Sequence, residues 1–242
     1  AQLLMRDADG IVCVSEEVAQ WVESLRGHRT GVWVIPNGVD HELFRANGRQ
    51  RPASLPQNGT PLIAFAGSFR PWHGIGDMLD AFKILVDKTS TDAHLLLVGD
   101  GPMRGEFEDK ARAFGLHDRV HITGMVPHAE VPKWLEGATM AVAPYPSLEH
   151  FYFSPLKLYE FLALGLPVIA TDVGQIRDVI TNGERGLLCP PGCPESLADA
   201  MAELIADKDR SRLLGDAGRD WVLAHATWRH RVKDILDRVS DL

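Results

Sequence analysis

The chain alternates between short apolar runs and longer segments of mixed polarity. The apolar runs, rich in Val, Ile and Leu, lie at residues 11–14, 32–35, 62–67, 94–99, 120–123, 140–144 and 167–171. Continuous apolar runs of this length are typical of strands buried on both faces of a sheet. Segments of helical length separate most of them, at residues 76–90, 103–114 and 128–137. This alternation predicts an α/β fold, a Rossmann-like doubly wound parallel sheet that binds ligands at the carboxyl ends of its strands.

The first 60 residues of the chain differ from this central pattern. Residues 48–60 (GRQRPASLPQNGT) are polar and rich in Pro and Gly, which predicts a linker or exposed loop. Before them, residues 11–36 hold only a strand, a helix that Ser15 opens, and a second strand. One such unit is too small to be a domain. We therefore expect residues 11–36 to present an apolar face that a missing domain or a partner chain covers. Because the chain begins with Ala1 in what reads as the middle of a helix, we also expect it to be cut from a longer one.

Charge and cysteine content exclude several classes of protein. Lys and Arg number 25 against 33 Asp and Glu, a formal net charge of −8, which argues against a nucleic-acid partner. Cys13, Cys189 and Cys193 match neither a disulfide framework nor the spacing of a zinc site, so no metal is predicted. No run approaches the roughly 18 uncharged apolar residues of a membrane-spanning helix. These features predict a cytoplasmic protein, and they leave open peripheral membrane contact of the longer protein.

A helix with an unusual composition is predicted in the stretch YFSPLKLYEFLALGLPVIATDVG, residues 152–174. Ser154 is a favourable N-cap and Pro155 is favoured at the first helical position, so we expect the helix to begin there. Gly165 marks its end. The bare N–H groups of a first helical turn, together with the helix dipole, favour binding of a phosphate.

Glu160 lies within this predicted helix. Helical spacing places it on one face with Leu156 and Ala163, which is otherwise apolar. A carboxylate in such a place needs hydrogen-bond donors, and the two hydroxyls of a ribose supply them. An exposed Glu160 paired with Lys157 three residues earlier explains the pattern equally well.

Five motifs follow one another along the chain. They are PNGVD at 36–40, GSFRPWHG at 67–74, LLLVGDGP at 96–102, ITGMVPH at 122–128 and SPLKLYEFLALGLPVIATDVGQIRDVI at 154–180. Their order resembles that seen in retaining nucleotide-sugar glycosyltransferases of the GT-B fold. The chain resembles the C-terminal, donor-binding half of that group, of the glycosyltransferase group 1 or family 4 type. The resemblance implies a remnant of the N-terminal acceptor domain at 1–45, a nucleotide-sugar domain at 46–225 and a C-terminal helix at 226–242.

The resemblance also implies roles for residues of the predicted helix. Glu160 matches the glutamate that holds the ribose of the donor. The family's other glutamate, which contacts the donor sugar, lies eight residues earlier, where this chain has Tyr152. Backbone amides from Phe153 to Leu156, a segment that includes Ser154 and Pro155, are then expected to contact the phosphates and the sugar.

The diphosphate and the base of the donor would be held by two loops. After Gly67, the positions of the family's Arg and Lys are occupied by Ser68 and His73. Arg70, in the same loop, and Lys157 are the cations expected to restore the positive charge. The backbone of the loop Gly124, Met125 and Val126 is expected to hold the base.

These features predict transfer of a hexosyl group from a UDP- or GDP-sugar, with retention at the anomeric carbon. The nucleotide sugar is a substrate, so no cofactor is expected, and the acceptor is not specified. Because the family's catalytic histidine belongs to the N-terminal domain, no catalytic residue is named here and the isolated chain is expected to be inactive. A nucleotide-sugar epimerase using His94, His121 and His128 is one alternative. A non-catalytic nucleotide-sugar-binding module is the other, supported by Ser68, His73 and Tyr152.

Overall fold

One six-stranded parallel sheet forms the centre of the structure. The computed structural model describes residues 2–48, 51–56 and 59–240. The strands are β1 Ile11–Cys13, β2 Val32–Val34, β3 Leu62–Ala66, β4 His94–Val98, β5 Val120–Ile122, β6 Met140–Ala143, β7 Val168–Thr171 and β8 Leu187–Cys189. Strands β1 and β2 form a separate parallel pair, and the other six are ordered β5-β4-β3-β6-β7-β8. Every neighbouring pair in the large sheet is parallel, which confirms the predicted fold class.

Helices cover both faces of this sheet. They are α1 Gln2–Asp7, α2 Glu16–Arg26, α3 Ile75–Thr89, α4 Arg104–Ala113, α5 Val131–Leu135, α6 Leu156–Ala163, α7 Ile176–Val179, α8 Pro194–Ala206, α9 Lys208–His225 and α10 Trp228–Ser240. The helix predicted at 128–137 is divided into a 3₁₀ turn, His128–Glu130, and the short α5. No helix in the described part of the chain has the length and apolar character needed to cross a bilayer.

The two faces of the sheet are buried in two separate apolar clusters. Along β3, Leu62, Ala64 and Ala66 point into one cluster. Ile63 and Phe65 point into the other. Successive side chains of a strand point to opposite faces, so a strand buried on both faces must be apolar at every position. With both faces covered, the ends of the strands are the parts of this sheet left open to a ligand.

The N-terminal segment forms a small layer of its own. Ala19 of α2 packs with Cys13 of β1 and Val32 of β2 in a minor apolar cluster. Ser15 caps α2 as predicted, its Oγ accepting a hydrogen bond from the amide of Val18 at 3.2 Å. The expected exposed apolar surface within residues 11–36 is present, at Val12, Trp21 and Val34. What covers that surface in a longer protein stays a prediction.

The predicted linker packs against the sheet domain over its described part. Four residues of this linker lie outside the described residues, namely 49, 50, 57 and 58. The same holds for residue 1 of the predicted N-terminal remnant and for residues 241–242 of the predicted C-terminal helix. Leu55 is buried in the core. Arg51 donates from Nε to the carbonyl of Gly137 at 2.8 Å. Residues 51–56 are therefore anchored, whereas the composition of 48–60 had indicated an exposed loop.

Two histidines contact each other across neighbouring strands. Nδ1 of His94 in β4 lies 2.9 Å from Nε2 of His121 in β5. Their rings are stacked with centroids 5.1 Å apart. One nitrogen of this contact must accept while the other donates, so protonating both rings breaks the hydrogen bond. Burial lowers the pKa of both imidazoles.

This contact predicts a specific loss of stability in acid. Between the lowered folded pKa values and the unfolded value near 6.5, the unfolded chain binds more protons, so the free energy of unfolding falls as pH falls. We expect the melting temperature to fall less in the double variant H94Q/H121Q than in the wild type when the pH is lowered from about 7.5 to about 5. The exposed His117→Gln is the matched control and should follow the wild type. Equal pH dependence in the double variant and the wild type would contradict this account.

Candidate functional site

A cavity of about 620 Å³ opens at the carboxyl ends of the central strands. It lies where the strand order reverses, because the chain runs from β3 to its neighbour β4 on one side and later to β6 on the other. Loops diverge at such a reversal, and ligands of open parallel sheets bind there. Eleven of the thirteen predicted site residues line the cavity: Gly67, Ser68, His73, Met125, Val126, Tyr152, Ser154, Pro155, Leu156, Lys157 and Glu160.

The other two predicted residues are not in the cavity wall. Arg70 is exposed, and its guanidinium lies 5.6 Å from the ring centroid of Trp72. Gly124 forms an antiparallel backbone bridge with Gly99, which does line the cavity. The structure therefore places Gly124 next to a residue of the wall and Arg70 on the exposed surface. Direct donor contacts by either residue stay predictions.

Ser154 does not cap α6, contrary to the prediction. The N-cap position belongs to Pro155, whose backbone is extended and which makes no side-chain capping bond. The Oγ of Ser154 instead accepts a hydrogen bond from the amide of Asn37 at 2.9 Å. The side-chain amide of Asn37 donates back to the carbonyl of Ser154 at 2.7 Å. Because the Oγ of Ser154 is hydrogen-bonded to the amide of Asn37, it does not cap α6. The first-turn amides of α6 therefore lack a capping side chain and can bind an acceptor from outside the helix.

Glu160 projects its carboxylate into the cavity wall. The side chain is 13% exposed. Its Oε1 lies 2.7 Å from Nε2 of His128, and since a carboxylate accepts, the imidazole donates. The alternative pair with Lys157 is not formed, because the amine of Lys157 has no hydrogen-bond partner among the described residues. Glu160 is thus a nearly buried carboxylate held from one side by a histidine.

Lys157 extends from the first turn of α6 to the floor of the cavity. Its Nζ lies 4.1 Å from the ring centroid of Phe65 and 5.2 Å from that of Tyr145. A Cβ built on Gly67, whose φ is +142°, would stand 2.8 Å from this nitrogen. The positive φ favours glycine at this position, and a side chain there would displace the amine of Lys157. Burial lowers the pKa of the amine to about 7, although the charge of Glu160 acts in the opposite direction.

His73 contributes a neutral ring to the same wall. Burial is the first cause, and the nearby Lys157 the second, that lower the pKa of this imidazole to about 4. Its Nδ1 contacts the carbonyl of Ser68, which can only accept, so Nδ1 carries the hydrogen. His73 therefore supplies a hydrogen-bonding ring and no positive charge near neutral pH.

The contact of His128 with Glu160 was not predicted from the sequence, where His128 was considered only as a helix start and for the epimerase alternative. This contact joins residues 32 positions apart. The position of His128 two residues after Val126, the last residue of the predicted base-binding loop, was the available signal. His94 and His121 do not line the cavity, which removes two of the three histidines on which the epimerase alternative relied. Within the described ranges, no group of three or more His, Cys, Asp or Glu side chains is placed to hold a metal ion.

The N-terminal segment fixes the far end of the cavity. Ser15 donates from Oγ to the carbonyl of Tyr152 at 3.0 Å. The side-chain amide of Gln175 donates to the carbonyl of Val14 at 3.1 Å and to that of Phe153 at 2.6 Å. These bonds hold the aromatic wall at Tyr152 and Phe153 against the end of β1.

Two family descriptions match the chain. Residues 60–207 match the family described as Glycosyl transferases group 1, which is more than half of the chain. The chain belongs to this family. Residues 1–43 match the description Glycosyltransferase Family 4.

Curated relatives extend over nearly all of the chain. An exopolysaccharide phosphotransferase of Streptomyces coelicolor is 30% identical over 242 residues, which are 96% of this chain and 24% of that protein. A 2-deoxystreptamine glucosyltransferase of Streptomyces kanamyceticus is 29% identical over 90% of this chain and 57% of that protein. This group 1 chain thus spans about a quarter of the length of the first relative and little more than half of the second.

Solved structures show the same fold. The Anabaena protein HepE, in complex with UDP and glucose, superposes with a TM-score of 0.82 over 99% of this chain and 65% of that chain, at 19% identity. At this identity the likeness establishes the fold, which is that of the C-terminal half of GT-B proteins.

The burial of Lys157 predicts that this residue lowers stability. Between its folded pKa of about 7 and its unfolded value, the unfolded chain binds more protons, so the wild type gains stability as pH rises through that window. We expect Lys157→Met to be more stable near pH 7.5 by about 1–3 kcal/mol, or several degrees in melting temperature. The advantage should shrink toward about pH 10, where the unfolded lysine also loses its proton. A lower melting temperature for Lys157→Met than for the exposed control Lys88→Met near pH 7.5 would contradict the prediction.

Proposed function

We propose that this chain binds a UDP- or GDP-sugar and forms the donor half of a retaining glycosyltransferase. One observation carries the proposal: the carboxylate of Glu160 and the uncapped first turn of α6 open into the same cavity, at the strand reversal. A carboxylate and a helix N-terminus one turn apart match the ribose and the diphosphate of a single nucleotide. The complex of HepE, a protein of the same fold, with UDP and glucose supports this assignment.

Glu160 is the proposed ribose contact. A carboxylate offers two acceptor oxygens, and the 2′ and 3′ hydroxyls of a ribose offer two donors. His128 donates to one of those oxygens, which holds the carboxylate in place. Met125 and Val126 also line the cavity and offer apolar contact to a base. Apolar side chains and backbone groups do not distinguish one base from another. Uridine and guanosine therefore remain alternatives.

The diphosphate is assigned to the first turn of α6. The amides of Leu156 and Lys157 belong to the helix positions that lack an intrahelical acceptor. Gly67 presents no side chain to the opposite wall, and the amine of Lys157 lies in the space that a side chain there would enter. The glycosyl group would then lie toward Tyr152, which occupies the far end of the cavity.

The acceptor side of the reaction is assigned to a domain outside this chain. The glucosyltransferase relative is longer, with 57% of its length matched. Val12, Trp21 and Val34 expose apolar surface that such a domain would cover. We therefore expect no transfer from the isolated chain and name no catalytic residue in it. The free thiols of Cys13, Cys189 and Cys193 fit a reducing cytoplasm.

A melting experiment with a panel of nucleotides tests donor binding. A ligand present at about 100 times its dissociation constant stabilises the protein by about 2.7 kcal/mol. We expect UDP or GDP, and their sugars, to raise the melting temperature by several degrees, while ADP and free hexoses do not. A panel in which no nucleoside diphosphate raises it would reject the proposal.

Replacing Glu160 tests the ribose contact. Glu160→Gln keeps the size of the side chain but removes its charge, and charge-assisted hydrogen bonds contribute roughly 1.5–3 kcal/mol each. We expect affinity for the preferred nucleoside diphosphate to fall about tenfold or more by isothermal titration calorimetry.

The control for Glu160→Gln is the 2′,3′-dideoxy form of the same nucleotide. It lacks both hydroxyls, so wild type and variant should bind it almost equally. An unchanged affinity for the natural nucleotide, together with a lower melting temperature, would make Glu160 a structural partner of His128.

A further inference from the structure

The amine of Lys157 is unusual among the charged groups of this protein. Its Nζ is shielded from water and has no hydrogen-bond partner among the described residues. Two aromatic rings, those of Phe65 and Tyr145, surround it at 4.1 Å and 5.2 Å. Burying a charged group without a partner is costly, and an amine escapes that cost by releasing its proton. These surroundings therefore favour a neutral amine.

The surrounding titratable groups provide no counter-charge in direct contact. Glu160, on the same helix, is hydrogen-bonded to His128. The loop after β3 carries His73, whose pKa is lowered first by burial and then by Lys157, and Arg70, so it offers a neutral ring and a cation but no counter-charge. Tyr145, after β6, is a buried phenol that remains protonated. Glu160 alone favours the ammonium form, and it does so from a distance.

A diphosphate in this cavity would change that balance. Lys157 is the second residue of α6, so its side chain starts among the first-turn amides assigned to the phosphates. Its nitrogen ends beside Gly67, on the opposite side of the same space. An anion between these groups supplies both the hydrogen-bond acceptors and the opposite charge that the amine lacks.

We propose that Lys157 binds the diphosphate of the donor and takes up one proton from solvent as it does so. The inference rests on the proposed function and adds a step to it: the neutral amine plus a proton becomes an ammonium ion, which is then paired with the phosphate oxygens. Binding of the donor is thereby coupled to pH. The same step places the ammonium group of Lys157 against the diphosphate. The diphosphate is the group that would leave when the sugar is transferred.

Calorimetry in several buffers measures this proton directly. UDP and GDP are titrated in turn into the wild type at about pH 8, where their terminal phosphates have already lost their protons. Buffers with different ionisation enthalpies are compared, and phosphate buffer is avoided because it competes for the site. We expect the observed enthalpy to vary with buffer ionisation enthalpy with a slope that corresponds to about one proton taken up per nucleotide. Tight binding with a slope of zero would overturn the inference, because the lysine would then be charged already or uninvolved.

Variants separate this role from a structural one. Lys157→Met should lose at least about tenfold in affinity and all of the proton uptake, while its melting temperature shows that it is folded. Glu160→Gln should bind more weakly but keep the proton uptake, since Glu160 is assigned to the ribose. Lys88→Met, an exposed lysine paired with Asp199, should change neither quantity. Wild-type affinity in Lys157→Met would overturn the inference.

The free nucleosides distinguish failure of this inference from failure of the proposed function. Uridine and guanosine lack phosphates, so we expect them to bind wild type and Lys157→Met equally, with no proton uptake. If a diphosphate binds but neither its affinity nor its proton count depends on Lys157, the inference alone is wrong. If neither the diphosphates nor the nucleosides bind the wild type, the donor-binding function is wrong and the inference falls with it.

Discussion

The reversal of strand order at β3 is the constraint on which the rest of the structure depends. A parallel sheet with helices on both faces can admit a ligand only at the ends of its strands, and β3 is the strand from which the loops diverge. The loops after β3 and β4 form one side of the opening, and α6, which follows β6, begins on the other. The cavity therefore arises from chain topology, and the side chains determine which chemistry occupies it.

The contact between Asn37 and Ser154 ties the N-terminal segment to this opening. Asn37 exchanges two hydrogen bonds with Ser154 at the start of α6. Its carbonyl also accepts from Nε of Arg231 in α10 at 3.1 Å. Three distant parts of the chain thus meet beside the first helical turn. By engaging the one side chain suited to cap α6, Asn37 leaves the amides of that turn for a ligand.

The electrostatics of the cavity follow from the same arrangement. Glu160 and Lys157 lie three positions apart on α6, a spacing that would ordinarily produce a surface ion pair. Here the carboxylate is bound by His128 on one side, and the amine turns down between Phe65 and Tyr145. The carboxylate and the amine therefore form no ion pair with each other. The helix presents two separate polar groups to the cavity.

Local pattern was sufficient for most of the fold and for the position of the site. Seven strands followed from apolar runs, because a strand buried on both faces is apolar at every position. Strand β8 was missed, since Leu187–Cys189 is too short a run to separate from its surroundings. Glu160 could be placed on α6 from helical spacing alone, and most predicted site residues line the cavity because carboxyl ends of parallel strands share one edge.

The hydrogen-bond and ion-pair partners of individual side chains, by contrast, were decided only by the tertiary structure. Ser154 fits an N-cap locally, yet Asn37, 117 positions away, takes its hydroxyl. Glu160 and Lys157 fit an ion pair locally, yet residues from other elements separate them. Sequence periodicity reports which faces are buried, because burial acts on every residue of an element. It does not report which of several competing donors, acceptors or rings reaches a given side chain, because that depends on how distant segments pack together.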